Sequence, residues 1–82
     1  MAVTGTPAAG RIVRIVARRT ILRAAPGDGA LNVLRNQVLP LGDQLEITDS
    51  AGSKIKGDRR LWYRVRRLSD QVEGWIAAGS FE

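Results

Sequence analysis

At 82 residues the chain has room for one small domain with one small core, and it carries neither cysteine nor histidine. Disulfides, thiolate metal sites, the commonest metal ligand, the commonest general base and the thiol nucleophile are therefore missing; a catalytic role is disfavoured, and no cofactor or metal is expected. Thirteen Lys and Arg against eight Asp and Glu give a net charge of +5, eleven of those cations being arginine, so weak and non-specific attraction of polyanions is expected.

With 44% hydrophobic and 26% charged residues the composition is that of a folded domain rather than a disordered segment. No stretch approaches the roughly 18 apolar residues that a membrane-spanning helix needs. Nor does the start of the chain show a charged region followed by an apolar one, the pattern of a secretory signal.

Residues 1–10, made largely of Ala, Gly, Thr and Pro, read as a flexible leader or linker, and residues 11–82 as the domain. Arg11-Ile12-Val13-Arg14-Ile15-Val16-Ala17 is rich in β-branched side chains and lacks an N-cap, which predicts a strand. Thr20-Ile21-Leu22-Arg23 continues extended until Pro26, Gly27 and Gly29 break it. Residues 30–41 lack a clean period, with Asn32, Asn36 and Pro40 interrupting Leu31, Leu34 and Val38, and a long folded loop with short extended pieces is expected. Alternation returns at residues 44–48, which predicts a half-buried strand with Leu45 and Ile47 inward. Residues 49–60 are polar, hold both lysines, and read as an exposed loop with Ile55 its one large apolar residue.

The most informative stretch is residues 61–76. Two runs rich in aromatic and β-branched residues flank Ser69-Asp70-Gln71, whose short polar side chains favour chain reversal, so a β-hairpin is predicted. It carries both tryptophans and the single tyrosine. Beyond it, residues 77–80 read as a single helical turn, with Phe81 folding back onto the body. Several short strands separated by turn signals predict an all-β fold, a small antiparallel barrel of five to six strands with at most that one helical turn.

Three ordered pieces resemble the bacterial SH3 (SH3b, SH3-like type 3) family: Ile21-Leu22-Arg23-Ala24-Ala25-Pro26-Gly27, then Val38-Leu39-Pro40-Leu41-Gly42-Asp43-Gln44-Leu45-Glu46-Ile47, then Trp62-Tyr63-Arg64-Val65-Arg66 followed by Glu73-Gly74-Trp75-Ile76. The order and spacing agree over about residues 15–81. Ala25 in place of a usual Gly, the longer loop at 49–60 and the abundance of Arg depart from the family pattern. The resemblance implies an SH3-like barrel without catalytic residues, a module within a larger protein of the cell envelope or exterior, which binds peptidoglycan or peptides.

Trp62 and Tyr63 are neighbours in a strand and point to opposite faces, so one of them is expected to face solvent and offer a flat surface to a ligand. Trp62, which opens the strand next to the loops, is the favoured one, with Arg23 and Asp28 as polar contacts. Arg23 has a second reading, in which its guanidinium bonds carbonyls of the Pro-Gly loop that follows it. Gly74 is read as making room for a neighbouring strand or ring, and Trp75 as barrel wall. Gly27-Asp28-Gly29 lacks the Gly-Lys-Ser/Thr of a nucleotide loop, and Asp43, Glu46, Asp49 and Asp70 have no metal-binding spacing and are expected to be solvated. The function expected is recognition of a cell-wall peptide or protein peptide by an aromatic-lined groove. A nucleic-acid-binding barrel and a structural domain that mediates protein docking are the alternatives.

Overall fold

The computed structural model describes residues 9–35, 37–53 and 59–82, and the side chains of these except 50–53. Four strands, β1 (Ile12–Arg14), β2 (Gln44–Ser53), β3 (Trp62–Arg67) and β4 (Glu73–Ala77), form one open antiparallel sheet in the order β1-β2-β3-β4. The described residues contain no helix, so the fold is all-β as predicted, and among them no helix is long and apolar enough to cross a membrane.

The predicted hairpin is β3 and β4, with Tyr63 opposite Ile76 and Val65 opposite Gly74. Its reversal is built as the composition suggests: Asp70 Oδ1 accepts the Val72 N–H at 3.2 Å, and Gln71 takes a positive φ of 65°. Arg67, at the end of β3, reaches Asp43 at 2.7 Å and Asp70 at 3.5 Å, which ties the hairpin turn to the start of β2. Asp43 is therefore not the solvated carboxylate expected from its position, since its side chain is only 14% exposed and its partner's 19%. Glu46 is likewise engaged, by Arg66 directly across the sheet.

Three predicted boundaries change. The first strand is shorter than the seven residues expected, because its partner β2 begins only at Gln44; the Gly42 N–H, on a turn with φ of 82°, bonds the Ile15 carbonyl at 2.7 Å instead. Residues 49–53, expected in an exposed loop, belong to β2. Polarity hid them, and the register shifts between Ile47 and Asp49 and between Asp49 and Ser53 break the alternation that would have marked a strand. Ile55 and the two lysines lie outside the described residues. The predicted helical turn is no helix either: Ala77 closes β4, Ser80 N–H bonds the Ala77 carbonyl at 3.2 Å, and Gly79 at φ 96° cannot continue a right-handed helix. Residues 1–8 lie outside the described residues, and backbone pairing starts at Gly10, whose N–H bonds Ile47 at 2.7 Å.

Both sheet edges carry further backbone bridges. Beside β1, Ile15 pairs with Phe81, and Arg14 and Glu82 exchange N–H to carbonyl bonds of 3.1 and 3.0 Å. Beside β4, Arg23 and Trp75 exchange bonds of 2.9 and 2.7 Å, and Arg23 also bridges Asn32. Residues 30–35 and 37–41 are the folded loop expected, held by bridges at Asn32 and Leu39 and by the Asn32 side chain, which accepts from Leu34 N–H and donates to the Gln37 carbonyl, each at 2.9 Å.

The core is Val13, Ile15, Leu22, Leu39, Leu45, Ile47, Tyr63, Val65 and Ile76. Leu45 and Ile47 point inward as the alternation predicts. Val65 is fully buried, so Val65→Ala should lower unfolding free energy by about 1–3 kcal/mol through lost methyl burial and the cavity left behind, read by chemical denaturation.

Candidate functional site

The two adjacent aromatic residues Trp62 and Tyr63 open β3. Trp62 pairs with Ala77 across the hairpin and with Ser53 on the other side, and Ala78 N–H bonds the Leu61 carbonyl at 2.7 Å, so the strand enters the sheet in a fixed position. Alternation then sends the two adjacent rings opposite ways. Tyr63 enters the core, its ring edge-on to Phe81 at 5.9 Å between centroids and 86° between planes. Trp62 turns away from that cluster.

The expectation that one ring faces solvent fails: Trp62 is 2% exposed and Tyr63 1%. Period-2 reasoning assumes that only one face of the sheet is covered. Here the outward face at Trp62 is covered too, in part by Arg60, whose guanidinium carbon lies 5.0 Å from the indole centroid. Trp62 is thus the inner wall of a groove.

That groove has a volume of about 220 Å³. Residues 17–21 and Arg23, then Asp28, then Arg60 and Trp62 at the entrance to β3, and Ala77 and Ser80 at and after the end of β4 line it. Several local features hold it in shape. Thr20 donates its hydroxyl to the Ala17 carbonyl at 2.8 Å, with Arg19 between them at φ 59°, and Thr20 bridges Leu39. Arg23 is fixed by its backbone against Trp75, and its Nη1 donates to the Ala30 carbonyl at 2.9 Å, so the carbonyl-bonding reading of Arg23 holds while the residue still lines the groove. Arg60 Nη2 donates to Asp28 Oδ2 at 2.7 Å, spanning from the approach to β3 to the Pro-Gly loop.

Of the four residues singled out from sequence, the fold brings Trp62, Arg23 and Asp28 around one groove and leaves Tyr63 in the core. Sequence reasoning missed Arg18, Arg19, Arg60, Ala77 and Ser80. Arg60 had a signal, a cation two residues before an aromatic at a strand entrance, whereas Ser80 depends on the turn after β4 and had none. Four arginines and one aspartate line the groove, which makes it an electropositive hollow with an indole wall. A second hollow, of about 360 Å³, lies beside the hairpin turn and is lined by Gly42, Asp43, Gln44, Leu68 and Ser69; it holds no aromatic ring. Among the described residues no group of three acidic, cysteine or histidine side chains converges as a metal site would require. No family model, no curated protein and no solved structure matches this chain.

Proposed function

We propose that the chain is a non-catalytic binding module of the bacterial SH3 type, an SH3-like antiparallel barrel that takes a short peptide segment, of cell-wall or protein origin, in the groove at Trp62. The barrel reading counts the paired segments at the two edges, around Arg23 beside β4 and around Phe81 beside β1, as the fifth and sixth strands. Among the described residues these bridges occupy part of the backbone at each sheet edge. The single observation that supports the binding role is the convergence of Trp62, Arg23, Arg60 and Asp28, from two segments far apart in sequence, on one hollow of about 220 Å³. The charged side chains there are mainly cationic donors, suited to carbonyls and carboxylates of a peptide, and Trp62 lies beneath Arg60.

The test is nuclear magnetic resonance mapping of the labelled domain with soluble peptidoglycan fragments and with hits from a short-peptide array. Shifts should cluster on residues 17–23, Asp28, Arg60, Trp62, Ala77 and Ser80. Shifts confined to Gly42, Asp43 and Leu68 would move the site to the second hollow, and no binding below millimolar concentration would leave a structural docking domain as the better reading. A basic barrel that holds nucleic acid is the second reading, motivated by the four groove arginines. Titration of RNA and duplex DNA should give weak binding that falls steeply with salt, as each neutralised phosphate releases counterion. Tight binding that persists at physiological salt would reverse the order of the two readings.

Trp62→Phe keeps a flat ring in the wall and should leave the domain folded while weakening peptide binding, whereas Trp62→Ala, which empties a buried site, should lower the melting temperature as well. Melts run beside binding isotherms separate the two effects.

A further inference from the structure

The groove's charge is lopsided among the described residues, with Arg18, Arg19, Arg23 and Arg60 against Asp28. Among the described residues Arg18 and Arg19 form no ion pair with a carboxylate. Asp28 places the one carboxylate that, among the described residues, lines the groove, and it rests on Arg60 at 2.7 Å, where that arginine also covers the indole of Trp62. The two side chains are 42% and 67% exposed, and pairs so exposed are weak enough to exchange.

We infer that the groove is a carboxylate-binding site in which Asp28 is a built-in competitor: the carboxylate of an acidic or C-terminal peptide group takes the place of Asp28 on Arg60. The exchange replaces the Arg60–Asp28 pair by another guanidinium–carboxylate pair, so it costs little, while Arg18 and Arg19 on the same groove favour the added negative charge. As Arg60 turns to the incoming group it uncovers the indole, and the apolar part of the ligand packs there. Asp28 thereby sets the affinity threshold, and it rejects ligands without a carboxylate because these leave Arg60 in place over Trp62. The inference rests on the peptide-groove reading above and names the chemistry that this groove selects.

The experiment is a resonance titration of the whole labelled chain with acetyl-alanyl-alanine as the free acid, with its C-terminal amide, and with inorganic phosphate. Asp28→Asn is compared with Asp70→Asn, which removes the same charge from the hairpin turn, away from the groove. The free acid should move the Trp62 indole and Arg60 side-chain signals, and Asp28→Asn should tighten it by roughly two- to fivefold, the worth of an exposed ion pair. Asp70→Asn should leave its affinity unchanged, and the amide should bind more weakly and respond to neither substitution. Equal tightening by Asp70→Asn, no tightening by Asp28→Asn, or phosphate moving the same signals at equal concentration would overturn the inference. Acid and amide binding equally would sink the carboxylate site while the peptide groove stood; if neither moves any groove signal, both readings fall. A melt of Asp28→Asn within a few degrees of the parent establishes that the comparison concerns folded protein.

Discussion

Tyr63→Ala is expected to remove a large part of the domain's stability. The side chain is 1% exposed, sits in the core cluster, and makes the edge-to-face contact with Phe81. Phe81 in turn forms the bridge to Ile15 that covers the β1 edge. Truncating a buried aromatic costs about 3–5 kcal/mol. A domain of this size has about 5–15 kcal/mol in all, so the variant should melt roughly 15–30 °C lower or fail to fold at ambient temperature. Tyr63→Phe keeps the ring and its contact with Phe81 and should remain within about 1 kcal/mol of the parent. Thermal melts of the two variants check this. A folded Tyr63→Ala domain with a near-parental midpoint would mean that the Tyr63 ring and the Phe81 edge it braces are not what holds the two ends of the sheet together.

How far the sequence speaks depends on whether a residue's place is set by its neighbours in the chain or by distant ones. The hairpin was legible because Ser69, Asp70 and Gln71 build their turn locally and the flanking runs are of strand type. The inward Leu45 and Ile47 were legible because β2 alternates cleanly there. The alternation then fails at Thr48, where a register shift inserts an extra residue between the pairs Ile47 with Val65 and Asp49 with Arg64, and the polar residues beyond it no longer looked like a strand. The site divides in the same way. Arg23 and Asp28 flank the Pro-Gly loop and could be named from it. The burial of Trp62 could not, since it depends in part on Arg60 lying across the ring. A rule of alternation sees one strand and one core. It has no information about a second cover made by an arginine that joins a loop 32 residues away.

Gly74→Ala should be the most damaging small substitution, and the reason lies in a close approach, not in backbone freedom. A Cβ at Gly74 would stand 2.6 Å from Leu22 Cγ, 2.9 Å from Leu22 Cδ1 and 2.8 Å from the Arg23 carbonyl oxygen. Distances under 3.0 Å force a shift, and here one obstacle is a fully buried leucine and another is backbone. The segment cannot retreat freely, because the Arg23 N–H and carbonyl are both bonded to Trp75, the next residue on β4. Forcing a methyl into so tight a contact costs about 3 kcal/mol, and more if both of those bonds break. The same shift displaces Arg23, so peptide binding should fall in whatever fraction stays folded. Leu22→Ala removes the nearer obstacle at a cost of its own, about 2–5 kcal/mol for a buried leucine. The two changes should therefore not add: the double variant is expected to be at least about 1 kcal/mol more stable than the sum of the single losses, because the alanine methyl enters space that the leucine has vacated. Denaturant unfolding of the parent, the two single variants and the double variant measures this coupling, and additive losses would show that the glycine is required for some reason other than its contact with Leu22.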